Sequence, residues 1–567
     1  MKKITTFLII FVLSTILITS CATPTAPPPE IIEKEVEVIV TQEVEVIKEV
    51  EVEVETVVTE IVTEWVYVTP EAEEVSTIPQ HGGEVTITYF QGFGPGFPDA
   101  HMSMSATNYM LSTQIYDTLV KYDAQRDIIP NLAKEWSISD DGLTFTFILE
   151  EGVLFHNGKE LVAEDVVYSF ERLRDPEISV MASFLEEIDT IEAIDDYTVT
   201  ITTFEPSAPM LEKIAMFNMV IYPKDHNPTP AEAIGTGPYM VESIEPDVEL
   251  VLVRNPNYWD AGEDGRPYID RVIVNQIGDE MARFGALMSG TSDIIFTPPH
   301  SARRAINEDP RYTIFPGLTM YETVVLSTYN VEAFANPLVR EAINIAISRK
   351  DLVDVALDGV GLPILGDLLV PGTWGYNDTE FMPFEGDLEK AKALLAEAGY
   401  ADGFSFTLSV WEAWPPEIKA AQLMQERFKE LNIEVDIEQV DPGIWVEKCY
   451  EGDIDAVFQG YGANIDPDYD FRVSHHPVTG FIHGVWENDT IVQMIDLASK
   501  EMDRDVREQI YFDLTDALFA HGEDTYTPVL PLWREPQDIA LNSLKVHGYW
   551  DDGQFGNLSA LEDMWVT

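Results

Sequence analysis

Ser139-Asp140-Asp141-Gly142-Leu143-Thr144-Phe145-Thr146-Phe147-Ile148-Leu149 carries the two signals from which the fold is read. Asp140-Asp141-Gly142 is turn chemistry: short carboxylates that bond nearby backbone, then a residue free to take positive φ. From Leu143 the residues alternate with the period of two that puts every second side chain on one face of a strand. The stretch therefore predicts a turn feeding a hairpin arm. Working outward, similar short runs rich in Val, Ile, Phe and Thr appear at Val85–Phe90, Thr198–Phe204, Val248–Arg254, Arg271–Ile277, Thr323–Ser327, Phe404–Val410, Ile433–Ile437 and Ile454–Gln459. Helices lie between them. Asp387 can cap one whose face is Leu388, Ala391, Leu394, Leu395 and Ala398, with Gly399 ending it. A second runs from about Asp503 to Ala520, and a third from Leu338 to Leu357 after Pro337. Strands interleaved with helices predict α/β lobes.

The chain has 567 residues, 45% of them hydrophobic, enough for several cores. Its 100 acidic residues against 34 basic ones give a net charge of -66, which disfavours nucleic acid and anionic lipid headgroups as partners. At the amino end, Lys2 and Lys3 precede an apolar run, Ile4 to Ile18, too short for a membrane span. Ile18-Thr19-Ser20-Cys21 then resembles the lipobox of bacterial lipoproteins, which implies cleavage of residues 1–21 before Cys21 and lipid attachment to it. Residues 22–80 read as an acidic stalk: a Pro-rich opening, then Val/Glu alternation, with 15 acidic and 2 basic residues between Glu30 and Glu74. The alternation fits a strand and the spacing of Ile47, Val50, Val54, Val57 and Ile61 fits a helix seam, so periodicity leaves both open. The second cysteine, Cys449, is expected as a buried, unpaired thiol.

A longer ordered pattern begins at Pro130-Asn131-Leu132-Ala133. It continues through Gly152-Val153-Leu154-Phe155-His156-Asn157-Gly158, Ala163-Glu164-Asp165-Val166, Gly235-Thr236-Gly237-Pro238-Tyr239, Arg254-Asn255-Pro256-Asn257-Tyr258-Trp259 and Val339-Arg340-Glu341-Ala342-Ile343. This resembles the peptide/nickel-type (family 5) solute-binding proteins of ABC importers. The resemblance implies an α/β, two-lobed, periplasmic-binding-protein-like fold, with an extra subdomain in the first lobe and two crossing segments as hinge. By that analogy lobe I holds 82–318 and 522–567, with the subdomain at about 116–229, and lobe II holds 319–521. The crossings are expected at Phe315–Glu322 and Asp524–Trp533.

Ligands in α/β lobes collect at the carboxyl ends of strands. That rule selects Trp411 and Trp414, just after one strand, and Tyr461, Gly462, Asn464 and Asp466, after another; Gln91 follows the first strand of the folded part. Aromatic rings there can stack on a solute. The resemblance places at Asn464 an Asp that grips the α-amino group in peptide binders; Asp466 or Asp468 is the alternative source of that charge. No Gly-x-Ser-x-Gly, His-Glu-x-x-His, Walker loop or dinucleotide fingerprint is present, so no enzyme, cofactor or metal is expected. The expected function is an extracytoplasmic lipoprotein, anchored to the outer face of a cell membrane by lipid alone. It delivers an oligopeptide-like solute to the permease subunits of an ABC importer. An oligosaccharide ligand on the same fold is the alternative, ahead of a secreted hydrolase or an adhesion or sensing subunit.

Overall fold

The Asp141–Leu149 segment folds as its pattern requires. Gly142 takes a φ of 72°, and the Asp141 carboxylate accepts from Leu143 N at 3.2 Å and from Ser139 Oγ at 2.6 Å. Phe145, Phe147 and Leu149 are buried on one face of Thr144–Leu149. That strand sits in a four-stranded antiparallel sheet ordered Ala133–Ile138, Thr144–Leu149, Thr198–Thr203, Ile188–Asp195.

The computed structural model describes residues 31–33, 65–67, 79–90, 96–102, 106–123, 125–246, 248–316, 319–371, 373–412, 414–462, 466–477, 485–550 and 559–567. The chain divides into two units, Met1–Thr77 and Ile78–Thr567. In the first, Ile31–Glu33 pairs antiparallel with Trp65–Tyr67. Cys21 and the remaining stalk residues up to 78 lie outside the described residues. Among the described residues no helix is long and apolar enough to cross a membrane.

Two larger mixed sheets organise the second unit. One has seven strands in the order Tyr239–Glu245, Glu249–Arg254, Arg271–Gln276, Glu84–Tyr89, Ile294–Phe296, Ile539–Asn542, Tyr312–Phe315. Glu84–Tyr89 runs parallel to both of its neighbours. The other has six strands in the order Leu362–Pro363, Val529–Pro536, Thr319–Leu326, Ala456–Gly462, Ser405–Trp411, Glu434–Val440. Ser405–Trp411 is parallel to Glu434–Val440 and to Ala456–Gly462. These sheets are the centres of two lobes, and the four-stranded sheet belongs to the inserted subdomain.

The chain passes between the large sheets twice. The first passage, from Phe315 to Thr319, falls inside the expected Phe315–Glu322. The second differs from the expected Asp524–Trp533. Val529–Pro536 is a full strand of the six-stranded sheet, paired along Thr319–Leu326, and the chain crosses only at Gln537–Asp538. The reason is its composition: Val529-Leu530-Pro531-Leu532-Trp533 is apolar throughout and buried, as a strand covered on both faces must be.

The helix at Leu388–Glu397 forms with Asp387 as its cap, whose side chain accepts from Lys390 N at 2.9 Å. The expected helix Leu338–Leu357 is instead two, Pro337–Ala346 and Arg349–Ala356. Ser348 caps the second. The buried Arg349 guanidinium turns back to the carbonyls of Asn344, Ile364 and Pro531 at 2.8–2.9 Å. It thereby satisfies the Asn344 carbonyl, one of those that the break exposes.

Candidate functional site

Strand direction places the site. In the seven-stranded sheet the parallel strands end at Tyr89, Gln276 and Phe296, the end at which Phe315 and Ile539 also lie. In the six-stranded sheet Ser405–Trp411 and Ala456–Gly462 end beside Thr319 and Pro536. Only Gln537 and Asp538 separate Pro536 from Ile539. Three Cα steps reach at most about 11 Å, so the two sets of carboxyl ends are held close.

On the seven-stranded side, the rings of Tyr89 and Phe296 stack at 4.2 Å. The Tyr89 hydroxyl is buried without a hydrogen-bond partner among the described residues, and burial holds its pKa well above the ordinary value. Arg283 donates to the carbonyls of Ile277 and Gly278, both at 2.8 Å, and of Phe296 at 3.1 Å, which pins this rim.

On the six-stranded side three carboxyls converge from separate segments. Glu322 stands opposite Gly460 on one neighbouring strand and Trp533 on the other. A Cβ at Gly460 would lie 3.0 and 3.4 Å from its two oxygens, so glycine there makes the room that Glu322 occupies. Glu535 follows Trp533 on the same face and accepts from His300 Nε2 at 3.1 Å. Glu417, in the first turn of helix Pro415–Lys429, accepts from Trp411 N at 2.7 Å. Glu322, Glu417 and Glu535 are 3%, 4% and 6% exposed. Burial, then the charges of Glu417 and Glu535, push Glu322 well above the usual carboxylate range. Burial likewise lifts Glu417 to about 8. Burial opposes charging of His300, and the bond to Glu535 more than offsets it, so the His300 pKa is raised. Arg303 pairs with Asp538 at 3.3 Å.

The residues singled out from sequence divide. Trp411 and Trp414 come together, half-buried, with rings 6.4 Å apart and 19° from parallel, and the Trp411 indole N–H is buried without a partner among the described residues. Gly462 closes its strand at the same end. Gln91 and Asn464 lie outside the described residues. Tyr461, expected to stack on a solute, is buried in the core 5.3 Å from Tyr321. Strand alternation turns it to the face opposite Gly460 and Glu322.

Asp466 is also placed differently from expectation. Its two oxygens receive Arg507 Nη2 and Nη1, each at 2.7 Å, and it caps helix Pro467–His475 through Asp468 N. Its charge is therefore already matched. Glu322, Glu417 and Glu535 were not singled out from sequence; only Glu322, an acid within a strand of Tyr, Thr and Val, carried a local signal.

The subdomain touches helices of the six-stranded lobe. Ala208 N donates to Ser499 O at 2.8 Å, Lys500 pairs with Glu205, and Phe184 stacks on Tyr469 at 5.8 Å. Among the described residues no group of three His, Cys, Asp or Glu side chains is set to hold a metal.

Comparison with known proteins gives a concordant picture. A family model described as bacterial extracellular solute-binding proteins, family 5 Middle, matches residues 127–478. Heme-binding protein A of Haemophilus influenzae is 30% identical over 419 residues, covering 68% of this chain and 75% of that one. The binding protein AgaA of A. tumefaciens R10, solved with agropinic acid, superposes with a TM-score of 0.76 at 26% identity, over 86% of this chain and 99% of that one. The periplasmic binding protein DppA of Helicobacter pylori, solved with the peptide STSA, gives 0.74 at 26% identity, over 86% and 98%.

Proposed function

The chain belongs to the bacterial extracellular solute-binding proteins of family 5, and from that premise we propose that it captures a peptide-like solute between its lobes and delivers it to an ABC importer. One observation supports the ligand class more than any other. The facing strand ends gather buried donors and acceptors that lack partners among the described residues: the Tyr89 hydroxyl, the Trp411 N–H and both amide atoms of Gln537. Buried polar groups are nearly always hydrogen-bonded. A peptide backbone, which alternates N–H and C=O, answers a mixed set of this kind. The Trp411–Trp414 pair adds a flat apolar wall for a side chain.

The protein works as a binding protein and not as an enzyme. Lobe I is the seven-stranded sheet with its subdomain, and lobe II is the six-stranded sheet. The lobes hinge at their two crossings, one of them Gln537–Asp538. The chain acts outside the cell membrane, held by lipid on Cys21, with residues 22–80 as spacer.

A thermal-shift panel of short peptides and β-linked oligosaccharides tests the ligand class. Peptides are expected to stabilise the protein, and stabilisation by sugars alone would establish the oligosaccharide alternative. With a stabilising peptide, X-ray scattering should show a smaller radius of gyration than without it; an unchanged radius under proven saturation counts against hinged closure. Cys21→Ser should move the protein from the membrane fraction to the soluble one, and retention in the membrane would place the anchor elsewhere.

A further inference from the structure

We propose that Glu322, Glu417 and Glu535 form the seat for a cationic group of the solute, an alkylammonium or guanidinium; this rests on the reading of the facing strand ends as the solute site. The three carboxyls come from a strand, a helix and a second strand, far apart in sequence: Glu322 lies against Gly460, Glu535 stands opposite Met320 on the neighbouring strand, and Glu417 accepts from Trp411 N. Among the described residues Glu322 and Glu417 take part in no ion pair, and the base set against the group is His300, bonded to Glu535. Glu322 is 97% buried by its 3% exposure, and its Oε1 has no hydrogen-bond partner among the described residues.

Such an arrangement is costly to keep. Buried acids without counter-charge destabilise a fold, and well-packed neutral residues of similar size would hold the same sheet more tightly. Structural carboxyls in this protein are treated otherwise: Asp466 has Arg507 and Asp468 has Arg472. Asp367, buried in the same lobe without a printed counter-charge, is answered by Leu369 N, Asn377 N and Thr515 Oγ1, whereas the Glu322 Oε1 has no partner among the described residues, and an entering cation supplies what it lacks. An ammonium has three N–H donors and a guanidinium five, enough to reach all three carboxyls at once. Gly460 keeps the space above Glu322 free of any side chain from its own strand.

The test uses the full chain and four peptides, measured by calorimetric titration. Trialanine carries an α-ammonium, and N-acetyl-trialanine is its neutral twin. N-acetyl-Ala-Lys-Ala amide carries a side-chain ammonium, and its norleucine analogue is the neutral twin. At least one cationic peptide is expected to bind about 30-fold or more tightly than its twin, the loss typical of an unpaired buried charge. Which pair shows the gap tells the α-amine from the side chain. Glu322→Gln and Glu417→Gln should each shrink that gap about 10-fold or more while binding of the neutral twins persists. Glu322→Gln should melt no lower than the parent; if it does not fold, Glu417→Gln carries the test. Equal affinity within both pairs, or a gap that survives both substitutions, overturns the proposal and leaves the peptide reading standing. If no peptide binds but 1,5-diaminopentane does, with loss in Glu322→Gln, the proposal stands and the peptide reading falls. No binding by any of these amines at millimolar concentration overturns the proposal.

Discussion

Asp466→Asn is expected to lower the stability of the unliganded protein by about 3 kcal/mol while changing affinity for a bound peptide little, because the ion pair it breaks is buried. Both Asp466 oxygens are engaged by Arg507 at 2.7 Å, and Arg507 also donates to Ala498 O at 2.9 Å and Tyr511 Oη at 3.0 Å. The guanidinium lies over the Trp374 ring at 5.1 Å. Asn keeps the helix cap at Pro467–His475, since Asn and Asp cap about equally well, so the substitution isolates the lost charge. What remains is a buried Arg507 without its counter-ion. Glu212 complicates the sum in an informative way. Burial, then the charge of Asp466, lifts its pKa to about 8, and its Oε2 is unpartnered among the described residues. With Asp466 neutralised, Glu212 can ionise and take up part of the Arg507 charge. Asp466→Asn with Glu212→Gln should therefore cost more than the two single changes added, a coupling that a double-mutant cycle in urea reads directly. Additive losses would show that Glu212 does not reach Arg507. A collapse of peptide affinity at unchanged stability would return Asp466 to the binding site.

What sequence made legible was local. The Asp141-Gly142 turn, the alternation of Phe145, Phe147 and Leu149, and the Asp387 cap are each decided by residues within a few positions of one another, and each forms as read. Asp466-Pro467 likewise carries a helix-start signal, a cap followed by proline in the first turn. Its partner Arg507 lies 41 residues away, and no local rule points to it. The break at Ile347–Ser348 escaped for a similar reason. Arg349 ends the helix by reaching carbonyls at Ile364 and Pro531, and Pro531 belongs to a strand 182 residues on. Tyr461 was misplaced by a parity that only pairing can fix: one residue along the strand decides between the Glu322 face and the core. The acid trio is the extreme case. Glu322, Glu417 and Glu535 become neighbours through strand order, which places Thr319–Leu326 between Val529–Pro536 and Ala456–Gly462.

Between pH 6.5 and 8 the unliganded protein is expected to lose stability as pH rises, by on the order of 2 kcal/mol through Glu417 alone, since each proton retained only by the folded state is worth about 1.4 kcal/mol per pH unit. The sign follows from the direction of the shift. Glu417 is lifted from 4.5 to about 8 in the fold. Between those values the folded state holds a proton that the unfolded chain has released, so stability is complete below about 4.5 and is lost as pH climbs through about 8. Glu212 adds a slope of the same sign over the same window. Asp367 and Asp538, lifted to about 6, have finished by then. The buried His101 and His475, lowered to about 3, act oppositely: their contribution is present above 6.5 and fades as pH falls. Above 6.5 the raised carboxyls act together with His300, whose raised pKa gives a slope of the same sign, while surface acids, however many, are already ionised there. The charged groups that act on Glu417 are Glu322 and Glu535, the latter with its partner His300. Urea unfolding at several pH values from 6.5 to 8.5 should show the decline in the parent and a flatter profile in Glu417→Gln. Identical slopes would mean that Glu417 is ionised throughout and that the trio holds no shared proton. A cation seated among these carboxyls would favour their charged forms, so the same protons should leave on binding. Titrations in buffers of different ionisation enthalpy would then give a heat that changes with the buffer for a cationic peptide, and not for its neutral twin.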